Sequence, residues 1–123
     1  MKPSSSFSPF RKWRRTAAFK QKEVARLLGL SGSTQVSRIE KGCRLPGLAL
    51  AIALEVLTGM QLHELVPHLY ADIEEETLAR VTSLLLEIEG SAHMASIAKC
   101  KQLRGCQDRV ITRHRNITMH VET

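Results

Sequence analysis

Thr34, Ser37, Arg38 and Lys41 fall at i, i+3, i+4 and i+7, so they share one stripe if Ser33 to Lys41 is helical. That stripe offers hydroxyls, a guanidinium and an ammonium, and it carries no acid. A solvated helix surface ordinarily mixes both signs to gain pairs one turn apart. Donors and cations without acids suit a polyanion instead: small polar groups reach base edges, and cations reach phosphates. Ser33, Thr34, Gln35 and Arg38 are the candidates for base edges, with Gln35 suited to adenine and Arg38 to guanine or a phosphate.

Such a stripe needs a scaffold behind it. Val36 and Ile39, three apart, supply the inward side of the same helix. A preceding helix over Gln21 to Leu28 places Val24, Ala25, Leu27 and Leu28 at helical spacing. Gly29 follows where a helix needs a residue tolerant of positive φ, and Leu30 can seal the corner. Ser31 or Gly32 is the expected N-cap of the second helix, and Gly42 is its natural C′ residue.

Taken together, Gln21, Ala25, Gly29, Leu30, Val36, the Ser37-Arg38-Ile39-Glu40 run, Gly42 and the Arg44-Leu45-Pro46 exit resemble the helix-turn-helix of the Xre family. This is the group that includes the lambda repressor and Cro. The resemblance covers about Phe10 to Tyr70, and its motifs gain specificity from their order and spacing. One departure is a turn one residue longer than the commonest form, Leu30-Ser31-Gly32, which bears on the base-contacting register. The resemblance implies an all-α, lambda-repressor-like five-helix domain that binds double-stranded DNA and regulates transcription, as a repressor, in a bacterial, phage or mobile-element setting. It implies that Gln21 bonds a phosphate and buttresses a side chain at the start of the recognition helix. It also implies that Lys41 and Arg44 lie near the DNA backbone and that Phe19 is a core residue.

The charge distribution agrees with a nucleic-acid face backed by something different. Met1 to Arg44 carries 11 Lys/Arg against 2 Glu, net +9. Leu45 to Ala92 carries 1 Arg against 8 acids, net −7, and His93 to Thr123 carries 6 against 2, net +4. Aromatic content of only 4% favours aliphatic helices over strands. Cys43, Cys100 and Cys106 are odd in number and lack ligand spacing, which fits reduced thiols in a cytoplasmic protein; the DNA binding that the resemblance implies would associate it with the nucleoid. The start of the chain does not read as a signal peptide, and no apolar run approaches the ~18 residues of a membrane span.

In chain order, residues 1–8 read as a disordered Ser/Pro-rich segment, with Ser8 capping a helix that has Pro9 at its first position. That helix, Pro9 to about Thr16, turns Phe10 and Trp13 inward. It crowds Arg11, Lys12, Arg14 and Arg15 onto a face that is either solvated or phosphate-contacting, and Arg14 and Arg15 are the phosphate candidates. Leu48 to Leu57 is apolar almost all round, as suits a central buried helix. Gln61 to Leu69 makes one more short helix, completing a DNA-binding domain over residues 9–70. His63 and His68 have no partner at ligand spacing and read as surface residues.

A helical extension follows over residues 71–104. Asp72, Glu74, Glu75 and Glu76 fit the first turn of a helix reaching Glu89, where the macrodipole favours acids. Leu78, Val81, Leu85 and Ile88 form a seam that either folds back on the five-helix domain or pairs with a second copy as a homodimer interface. A last helix over His93 to Arg104 is expected to close at Gly105, leaving residues 105–123 as a tail.

No Gly-rich phosphate loop, zinc spacing or nucleophile elbow is present, so neither an enzyme nor a cofactor or metal site is expected. The rival reading is a protein-interaction adaptor, an antitoxin- or coactivator-like module whose fold docks a partner protein.

Overall fold

A computed structural model describes residues 7–91 and 93–122, with side chains as far as Thr118. Every regular element among the described residues is an α-helix: α1 (Ser8–Thr16), α2 (Gln21–Leu27), α3 (Ser33–Glu40), α4 (Leu48–Thr58), α5 (Leu62–Leu65), α6 (Pro67–Ile88) and α7 (Met94–Glu122). The all-α expectation holds. The chain divides into two compact units, residues 1–73 and 74–123.

In the first unit, α2 ends as its sequence requires. Gly29 sits at φ +72°, Leu30 N–H donates to the Ala25 carbonyl (2.8 Å) and Gly29 N–H to that of Arg26 (3.2 Å). This pair of bonds is a Schellman closure, and the positive φ costs glycine nothing. The same closure ends α3 at Gly42, with Cys43 N–H on the Arg38 carbonyl. It also ends α1, where Phe19 N–H reaches the Arg14 carbonyl, but there the left-handed residue is Ala18 (φ +65°). A Cβ in that conformation costs roughly 1 kcal/mol.

The core of this unit is Phe7, Phe10, Val24, Ala25, Val36, Ile39, Leu54, Leu65 and Val66. Trp13 lies between Phe10 and Phe19, at centroid distances of 6.2 and 5.7 Å, as offset ring pairs prefer. α3 packs on α2 and α1, and α1 also packs on α5. The carboxylate of Glu55 accepts the Leu62 backbone N–H (3.1 Å), which ties α4 to α5.

Several expectations are corrected here. The expected disorder over residues 1–8 lies outside the described residues up to Ser6, but Phe7 is 2% exposed and belongs to the core. Ser8 is the first helical residue and not the cap; Phe7 holds that position, without a side-chain bond. The helix expected over Gln61 to Leu69 is cut at Val66, because Pro67 cannot donate to a continuing helix and instead starts the next one. α6 therefore begins before Asp72, and the acids of residues 72–76 lie past its first turn. His63 is half-buried, edge-on to Tyr70 at 5.8 Å, rather than a plain surface residue. α4 is not buried all round: Ala51 and Leu54 are buried, whereas Leu48, Ile52 and Val56 are 77, 52 and 80% exposed.

The second unit is an antiparallel pair made by the remainder of α6 and by α7. Glu89 meets Arg104 (3.0 Å), Thr82 meets Gln107 (3.4 Å), and Glu74 meets Arg113 and His114, in falling order along one helix and rising order along the other. Leu78, Val81, Leu85 and Ile88 lie between those contacts at heptad spacing, Leu85 buried and the others half-buried. The seam thus lies on the stretch of α6 whose polar residues meet α7, a third helix beside the two expected partners. α7 passes through Gly105 without a break, so the expected stop and tail are replaced by helix to Glu122. A single helical Gly costs only about 1 kcal/mol, which pairing along two long helices exceeds.

Candidate nucleic-acid interface

α3 presents its outward stripe much as its spacing requires. Ser33, Thr34, Arg38 and Lys41 are exposed, Gln35 and Ser37 are half-buried, and Val36, Ile39 and Glu40 are buried. Gly32 occupies the N-cap in extended backbone and offers no side-chain acceptor, so α3 begins without a side-chain cap. Ser31 works on a side chain instead: its hydroxyl accepts from Gln35 Nε2 at 3.1 Å. That bond folds the Gln35 amide back along the first turn and engages the donor a base-reading glutamine would use.

Arg38, Lys41 and Arg44 are exposed, and none of them pairs with a carboxylate among the described residues. Lys20, Lys22, Arg26, Arg11, Lys12 and Arg15 are exposed as well. The first unit thus carries a field of solvated cations, and the cations of α3 and its exit loop are not neutralised by neighbours.

Arg14 is the exception. Its Nε and Nη2 donate to the two carboxylate oxygens of Glu40 at 2.5 and 3.0 Å, and Nη1 donates to the Phe19 carbonyl at 3.1 Å. The side chains are 11 and 2% exposed. The hydrogen bond to Glu40 raises the Arg14 pKa above its ordinary value, burial opposes it, and the nearby carboxylate charge adds to the rise. Arg14 is therefore committed to an internal fork, and its assignment as a phosphate ligand is corrected. Arg15, one residue on, remains on the surface.

Gln21 is corrected in part. Its Nε2 donates to Glu40 Oε1 at 3.1 Å, so it braces the end of α3 and not its start. Glu40 is thereby the hub that joins α1, α2 and α3, and the spacing argument missed that role. A signal was available: Glu40 lies four residues after Val36 and next to Ile39, an acid on an apolar stripe, with a surplus of arginines on α1 to answer it.

No family model, curated protein or solved structure matches the chain. The candidate interface therefore rests on its own geometry. Among the described residues no group of three or more His, Cys, Asp or Glu is arranged to hold a metal ion, and no helix is long and apolar enough to cross a membrane.

Proposed function

We propose that this chain is a sequence-specific double-stranded-DNA-binding regulator of the Xre type, built on a lambda-repressor-like helix-turn-helix. The observation that carries the reading is the outward stripe of α3: Thr34, Arg38 and Lys41 exposed, no acid among them, and Arg44 exposed just beyond. The closed turn at Gly29 and the fork on Glu40 support it, because a helix that reads a groove must be held rigidly from behind. Thr34, Ser33 and Arg38 are assigned to base edges, and Lys41, Arg44 and Arg15 to phosphates. Gln35 joins the base-reading group once it leaves Ser31. A dimer reading two half-sites, acting as a repressor, completes the proposal.

The test is selection from a randomised duplex pool, followed by titration of Arg38→Ala on the selected site and on random DNA. A consensus preferred by ~10³-fold or more supports a sequence-specific regulator. Arg38→Ala is expected to cost roughly 1–3 kcal/mol on the selected site and far less on random DNA. Steep salt dependence without any consensus refutes the regulator and leaves a phosphate-gripping surface.

A further inference from the structure

α4 carries an apolar row that is exposed among the described residues. Leu48, Ile52 and Val56 repeat every four residues along one ridge, and Leu45, in the loop that precedes the helix, is also exposed, at 54%. Isolated exposed aliphatics are ordinary, but three in one row at 52 to 80% exposure, with a fourth exposed in the adjoining loop, make a patch of the kind that marks an interaction site.

We infer that this ridge is the contact between two copies of the chain, packed antiparallel so that Ile52 meets Ile52 of the second copy and Leu48 meets its Val56. Three observations select a second copy. The first is charge. From Leu45 to Thr58 the only ionisable side chain is Glu55, which already holds the Leu62 backbone N–H, so two such faces meet without repulsion. Residues 1–44 carry a net +9, and faces built from them would repel their own copy.

The second is shape. A row at intervals of four is the ridge that interdigitates with its own kind in the commonest class of helix packing, at a crossing angle of about −50°. A two-fold contact demands such self-complementarity. The third is area. Four side chains from each copy remove on the order of 800 Å² from water, and the alanines beside them bring the contact towards the ~1,000 Å² at which a specific interface begins. The other apolar seam of the chain, on α6, is half-buried or buried at every position. A nucleic acid does not fit here, because the ridge has neither a donor nor a cation.

This inference stands on the exposed ridge and not on the DNA-binding reading. The test is the solution mass of the full chain by sedimentation equilibrium in the micromolar range, without DNA. Wild type is expected at twice the 13.8 kDa chain mass, and Ile52→Glu and Val56→Glu at the single mass with helical circular dichroism unchanged, since both positions are exposed. As a second measurement, Ile52→Cys combined with Cys43→Ser is expected to form a disulfide-linked dimer on mild oxidation, while Cys43→Ser alone does not. A monomeric wild type, a dimer that survives both glutamate variants, or a dimer that fails to cross-link through position 52 overturns the inference.

Discussion

Removing one member of the Arg14–Glu40 fork has a calculable cost. Glu40 is 2% exposed and accepts three hydrogen bonds, two from Arg14 and one from Gln21. Arg14→Leu leaves that carboxylate buried with a single neutral donor, for which about 5 kcal/mol, the upper end for breaking a buried pair, is the appropriate figure. Glu40→Leu leaves a guanidinium that is 11% exposed, still bonded to Phe19, and able to lean toward water. The lower end, about 3 kcal/mol, applies there. The double replacement Arg14→Leu with Glu40→Leu removes both charges together, and apolar substitutes for a buried pair are often neutral or better. The coupling between the two sites should therefore be at least ~3 kcal/mol, far above the ~0.5 kcal/mol scatter of independent sites.

Trp13 is the one tryptophan of the chain and packs in the same unit, so urea unfolding followed by its fluorescence reports on this unit alone. In thermal unfolding, a loss of about 3 kcal/mol corresponds to a fall of roughly 12–24 °C in Tm for a domain of this size. If the two single variants each cost under ~1 kcal/mol and their effects add, the fork is a surface pair and the case for Glu40 as a hub collapses.

Two further outcomes test the backbone reading. Ala18→Gly should stabilise the first unit by about 0.5–1 kcal/mol, because Ala18 holds a left-handed conformation at an exposed position; a loss of stability in urea unfolding would count against it. Gly105→Ala should stabilise α7 by a similar ~0.5–1 kcal/mol, measured as a rise in helical content or unfolding midpoint. The new Cβ meets only Arg109 Nη1 at 3.2 Å, the far end of an exposed side chain, so a loss of helix there would show that the chain does turn at Gly105.

Local chemistry was sufficient to specify much of the first unit. Gly29, Gly42 and the spacing of Val24, Ala25, Val36 and Ile39 determine two helices, their ends and their inward faces, because caps and periodicity act within a few residues. The same periodicity put Thr34, Arg38 and Lys41 outward. Pro67 was visible too, but only as a break; that it starts a 22-residue helix depends on what α6 finds to pack against.

Tertiary structure decided the rest. An arginine on α1 is indistinguishable in sequence from its neighbours, and only the arrival of Glu40 from a helix 26 residues away separates Arg14, largely covered, from Arg15, exposed. The acids of residues 72–76 suit a helix start by local electrostatics, yet Glu74 is defined by Arg113 and His114, 40 residues on in the case of His114. Gly105 is a stop signal by propensity, and pairing along α6 outweighs it. An α4 that is apolar almost all round cannot state which of its sides meets the core. Each of these choices is settled by which partner reaches a group first, a long-range quantity that local propensities do not contain.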